Sequence, residues 1–126
     1  DGNVTAVIWD FQQPQQKVSN RPFYSRIVPA SPGIPVKVNL SHLNPGNYRL
    51  RVHRTGFRAN DAYSAYIDMG APKELTAEQL EELRKVTSDV PEADRHIRVG
   101  GSGTYDLSLP MRSNDVVLIT IEKAGK

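Results

Sequence analysis

Residues 34–53 read IPVKVNLSHLNPGNYRLRVH, and this stretch decides the fold class. Ile34, Val36, Val38 and Leu40 alternate with Pro35, Lys37 and Asn39, and Tyr48, Leu50 and Val52 alternate with Arg49, Arg51 and His53. A period of two puts apolar side chains on one face of an extended chain and polar ones on the other, which is how a half-buried strand reads. Asn44-Pro45-Gly46-Asn47 lies between them as a turn, because proline presets φ and glycine supplies the positive φ of a type II turn. The expectation is an antiparallel hairpin with one wet face.

Further runs extend the pattern in both directions. Asn3 to Phe11 (NVTAVIWDF) is apolar at nearly every position, which predicts a strand buried on both faces with Trp9 in the core. Ala62 to Met69 is a candidate strand, with Tyr63, Ala65 and Ile67 opposite Tyr66 and Asp68. Arg95 to Val99, Thr104 to Leu109 and Asp115 to Glu122 complete the set, the first two joined by the turn Gly100-Gly101-Ser102-Gly103. Gln12 to Pro35 has little periodicity and carries Pro14, Pro22, Pro29, Pro32 and Pro35; it reads as a long irregular connection with one short strand near Tyr24 to Val28. One helix is marked over about 76–88: Thr76 and Gln79 form a capping box, Leu75 and Leu80 occupy staple positions, and Leu80, Leu83 and Thr87 make a short stripe. Short strands separated by turns predict one domain over residues 1–126. Its class is an all-β antiparallel sandwich of the fibronectin/immunoglobulin type with one inserted surface α-helix.

Composition narrows the chemistry. The 126 residues suit one domain, and 38% apolar with 24% charged residues is an ordinary globular balance. No apolar run of about 18 residues exists, so no membrane contact is expected. The absence of cysteine excludes disulfides, cysteine–zinc sites and thiol catalysis but leaves the compartment open, whether secreted, periplasmic or cytoplasmic. The chain opens on Asp1-Gly2 with no methionine, and the expectation is a piece of a longer protein.

His42, His53 and His96 have no partner at metal-motif spacing, so no metal or cofactor is expected. Gly100-Gly101-Ser102-Gly103 does not match the G-x-S-x-G nucleophile turn and lacks the lysine and helix of a phosphate loop. Asp61, Asp68, Asp106 and Asp115 stand near strand ends, where aspartate satisfies turn backbone more often than it serves a catalytic pair. Arg49, Arg51, His53, Arg54 and Arg58 form the densest cation cluster, but no aromatic rings interleave with them as a nucleic-acid platform requires. They read as a solvated strand or a docking surface, with no nucleic-acid partner expected. Tyr24 and Tyr66 are the rings best suited to face a sugar.

At Arg54 to Pro72 (RTGFRANDAYSAYIDMGAP) the sequence becomes specific. With Leu75-Thr76-Ala77-Glu78-Gln79 following, and Leu109-Pro110-Met111 and Asn114 to Leu118 downstream, it resembles the C-terminal part of glycoside hydrolase family 39, the β-xylosidases related to α-L-iduronidase. Val7-Ile8-Trp9-Asp10-Phe11 resembles the family strand just after the barrel. Asp61 departs from the pattern, standing where many relatives run from Asn directly into Ala-Tyr. The family's two catalytic glutamates belong to a (β/α)8 barrel, and the Asn-Glu-Pro motif of its acid/base does not occur here, so no catalytic residue carries over.

The resemblance implies a non-catalytic accessory domain that packs on and stabilises the barrel of a retaining, β-xylosidase-like enzyme, shaping its substrate entrance or an oligomer contact. The barrel-facing or ligand-facing candidates are Gln12 to Pro35 with Tyr24, and Arg54, Arg58, Asn60, Asp61, Tyr63 and Tyr66. The alternative is an independent carbohydrate-binding module for xylan-type oligosaccharides. Family sandwiches often take a strand from the segment preceding the barrel, which would leave one sheet edge open here.

Overall fold

The computed structural model describes residues 3–12 and 27–125. Tyr24 and most of the strand expected beside it lie outside that range. Among the described residues the order is β1 (Val4–Trp9), β2 (Val36–Leu40), β3 (Gly46–Thr55), α1 (Ala62–Asp68), α2 (Ala77–Val86), β4 (Ala93–Val99), β5 (Tyr105–Leu109) and β6 (Val116–Lys123). Two antiparallel sheets result, one ordered β1-β6-β3-β4 and the other β2-β5. The expected all-β sandwich is what forms.

Its core is the inner face of each sheet. Tyr48, Leu50 and Val52 of β3 and Val117, Ile119 and Ile121 of β6 are buried, and Leu107 and Leu109 of β5 close the layer from the other sheet. Val36, Val38 and Leu40 of β2 pack against the same cluster. The period-two apolar pattern of each strand therefore becomes one continuous apolar layer between the sheets.

Three expectations need correction. The strands within 34–53 do not pair with each other: β2 pairs with β5 while β3 pairs with β4 and β6. The Asn44–Asn47 turn carries the chain across the sandwich instead of closing a hairpin. Tyr48, fully buried, fixes this crossing by donating its hydroxyl to the Asn44 carbonyl at 2.8 Å, a device that recurs where sandwich strands change sheets. Alternation reports which face is buried but not which strand lies alongside.

The second correction is β1. It is an edge strand with only Val4, Ala6 and Ile8 turned to the core, while Val7 and Trp9 point outward at 50% and 66% exposure. Trp9 is not a core residue, because among the described residues no second layer covers that face.

The third is Ala62 to Met69, which is mostly helix. The Asp61 carboxylate accepts the Ser64 N–H at 3.1 Å and also the Ser64 hydroxyl, capping the N-terminus. Gly70, at φ 88°, ends the helix: its N–H meets the Ile67 carbonyl, and the Ala71 N–H meets that of Tyr66. Over seven residues, Tyr63, Tyr66 and Ile67 satisfy helical spacing as well as alternation satisfies a strand, and the caps decide between them. The expected helix is α2, with both halves of the Thr76–Gln79 capping box present. No residue of α2 is buried, and α1 is its principal neighbouring element.

Candidate functional site

Strands β1 and β3 run parallel, each antiparallel to β6, so the end of β3 and the start of β6 share one edge of the domain with Trp9. Here lies an ionic cluster. Arg54, on the inward face of β3, is 6% exposed, and Asp115, just before β6, is fully buried. The Arg54 guanidinium donates from Nη1 to Asp115 Oδ2 (2.5 Å), from Nε and Nη2 to Glu92 (2.8 and 2.9 Å), and from Nη2 to the Pro110 carbonyl (2.9 Å). Arg112 completes the shell of Asp115 with Nε and Nη2 at 3.0 Å and its backbone N–H at 3.1 Å. The bidentate Glu92 bonds favour the charged form of Arg54 and raise its pKa, with burial opposing. Gly56 permits the close packing, since a Cβ there would stand 2.2 Å from Asp115 Oδ1.

An open cleft of about 530 Å³ lies against this cluster, with Arg54, Glu92, Arg95, Pro110 and Arg112 in its lining beside Val52, Leu107 and Leu109. Its one carboxylate among the described residues, Glu92, is already bound by Arg54. A glycosidic acid/base pair needs two carboxyl groups facing a bond from opposite sides, and this cleft offers none. The cluster holds β3, the Pro110–Asp115 loop and the approach to β4 together. Sequence reasoning found Arg54 but missed Glu92 and Arg112, which lie far from it along the chain; only an inward position for a charged residue in an alternating strand signalled that partners were required.

Beyond β3 the chain forms a hydrogen-bonded knuckle. Arg58 and Asn60 both adopt positive φ (55° and 48°), and Asn60 Nδ2 donates to the Arg54 carbonyl at 2.8 Å. Burial raises the pKa of Asp61, but the Ser64 hydroxyl and the backbone N–H groups of Arg58, Ser64 and Tyr63 outweigh it, so the net direction is down. Arg58 is exposed and pairs with Asp68 at 3.0 Å. Tyr66 donates its hydroxyl to the Pro72 carbonyl at 2.9 Å, and Tyr63 is 39% exposed. Of the sequence candidates, Arg54 turns into the ionic cluster, Asn60 and Asp61 brace the knuckle, and Arg58 and Tyr63 present surface.

On the outer face of the four-stranded sheet several basic side chains have acidic partners. Arg49 holds Asp94 at 2.6 Å and lowers its carboxylate pKa, Arg51 holds Glu122 at 3.1 Å, and His53 Nδ1 lies 3.1 Å from Asp89. Among the described residues no group of three or more potential metal ligands occurs, and no helix is long and apolar enough to cross a membrane.

No protein-family model matches the chain, and no curated protein matches it. Solved structures do. The glycoside hydrolase family 39 enzyme from Xanthomonas axonopodis pv. citri is 50% identical over 98% of this chain, with a TM-score of 0.92. A monomeric β-xylosidase from Caulobacter crescentus CB15 is 52% identical over 98%, with a TM-score of 0.90. A bacterial orthologue of human α-L-iduronidase shares the fold at 15% identity and a TM-score of 0.65, over 79% of this chain and 18% of its own. The chain spans only 24% and 25% of the first two structures, and the matched part is C-terminal. In sequence and fold this chain matches the C-terminal portion of much larger glycoside hydrolase family 39 β-xylosidase structures.

Proposed function

We propose that the chain is a non-catalytic accessory domain that packs on and stabilises the catalytic (β/α)8 barrel of a β-xylosidase-like enzyme. The observation that carries this reading is coverage: relatives at 50% and 52% identity match 98% of this chain but are about four times as long. The site chemistry supports it, since the one carboxylate lining the cleft among the described residues, Glu92, is held by Arg54. The knuckle bearing Arg58, Tyr63 and Tyr66 is one surface that such a barrel could meet. Two measurements test the reading. The chain alone should not hydrolyse a chromogenic xyloside, and deleting it from the full polypeptide should lower the temperature at which catalytic activity is lost. Hydrolysis by the chain, or an unchanged inactivation temperature after deletion, would overturn the proposal.

A further inference from the structure

The outer face of the four-stranded sheet is divided in two. At one end the register places Arg49 beside Glu122 and Arg51 beside Thr120, and both arginines are ion-paired. At the other it places Trp9 beside Val116 and Val7 beside Leu118. Trp9 is 66% exposed and Val116 45%. Phe11, 73% exposed, continues the odd-numbered outward series, its neighbours held to the β6 side by Asp10 N–H to the Asp115 carbonyl and Gln12 N–H to Asn114 Oδ1. Together Val7, Trp9, Phe11 and Val116 expose roughly 400 Å² of apolar side chain, a patch of the size that marks interaction surfaces. Strand β1 is also a sheet edge without proline, lysine or inward charge over Val4–Trp9, devices by which free edges are ordinarily protected.

We infer that this β1/β6 face is the surface on which the larger N-terminal portion of the polypeptide seats; the inference rests on the accessory-domain reading above and names its contact face. In the relatives the unmatched three-quarters of the chain precedes the matched part, so β1 is the element nearest to it in sequence. Tethering supplies a high effective concentration, so a patch of this size suffices within one polypeptide. It falls short of the roughly 800 Å² per partner typical of a stable complex between free copies. A sugar platform fits less well, because the rings have aliphatic neighbours in Val7 and Val116 and the polar groups flanking Phe11 bond one another, Gln12 Nε2 to Asp10 Oδ2 and the Gln12 N–H to Asn114 Oδ1.

Hydroxyl-radical footprinting of the full polypeptide, read by mass spectrometry, tests this. Trp9 and Val7 should be oxidised several-fold more slowly than in the urea-unfolded polypeptide, while Val90, 69% exposed on the far side of α2 in sequence, should keep its reactivity. Trp9→Ser, which removes no core contact, should lower the melting temperature of the catalytic portion, and the milder Val7→Thr should do so less. Reactive Trp9 with unchanged melting for both variants overturns the inference; protection found instead at Tyr63 or Leu80 leaves the accessory-domain reading standing with another face. If no surface residue is protected and deleting the domain leaves catalytic stability unchanged, both fail. Protection lost on dilution indicates a second copy, and protection gained only with xylo-oligosaccharide indicates a sugar platform; either overturns the inference.

Discussion

Replacing Asp115 by asparagine keeps the side chain's shape and removes its charge from a fully buried position. Asp115 accepts four hydrogen bonds, from Arg54 Nη1, Arg112 Nε, Arg112 Nη2 and the Arg112 backbone. An amide has one acceptor oxygen, so at least one arginine donor would face an N–H. Breaking one partner of a buried ion pair costs about 3–5 kcal/mol. Arg54 retains both Glu92 bonds and the Pro110 carbonyl, so its charge is not orphaned and the expected loss sits at the lower end, ~3 kcal/mol. For a domain of this size that corresponds to a fall in melting temperature of roughly 10 °C. Glu92→Gln removes a carboxylate whose side chain is 38% exposed, and solvent screening limits its cost to about 1 kcal/mol or less. Urea unfolding followed by far-ultraviolet circular dichroism measures both; emission from exposed Trp9 would report the transition poorly. A Glu92→Gln loss equal to or larger than that of Asp115→Asn would refute the assignment of Asp115 as the buried anchor.

Gly56→Ala should destabilise by about 1–3 kcal/mol, because a methyl group 2.2 Å from Asp115 Oδ1 forces the loop or the carboxylate to shift; the same urea titration reads it. Tyr48→Phe should cost about 1 kcal/mol by leaving the Asn44 carbonyl without its partner, with thermal unfolding as the check. Asp61 has a folded-state pKa below its unfolded value of about 3.9, so its contribution is present above that pH and is lost as pH falls through the folded pKa. The stability gap between the native chain and Asp61→Asn should therefore narrow below about pH 4, as acid titration of circular dichroism would show.

Much of the fold was legible because strand burial has a short period. Val36 to Leu40 and Tyr48 to Val52 announced their inward faces, Val116 to Ile121 announced a strand without a face, and Thr76 with Gln79 announced α2. Pairing was not legible, because alternation is the same whether the neighbouring strand follows a hairpin or crosses the sandwich. The buried hydroxyl of Tyr48, four residues beyond Asn44, was the one local sign of a crossing. Helix α1 was marked by its ends rather than its middle: Asp61 caps one terminus, and Gly70 with Pro72 closes the other. The Asp61 carboxylate closes the first turn of α1 by accepting the Ser64 N–H.

The site was less legible because its parts act at long range. Arg54, Glu92, Arg112 and Asp115 are scattered over 62 residues of sequence and converge only when β3, β4 and the loop before β6 align. Trp9 shows the opposite difficulty. A strand apolar on both faces predicts a layer on each side, and the described residues supply one. That leaves an unsatisfied sequence pattern: Val4, Ala6 and Ile8 find the core, while Val7, Trp9 and Phe11 face solvent. If the N-terminal portion of the polypeptide supplies the second layer, the two-faced pattern describes the whole enzyme correctly and the isolated chain incorrectly. The same strand would then serve two functions, holding a sheet edge of the sandwich through its inner face and registering the N-terminal portion through its outer one. An edge strand is suited to both, since β6 pairing and core packing fix its inner face and leave its outer face open to a partner.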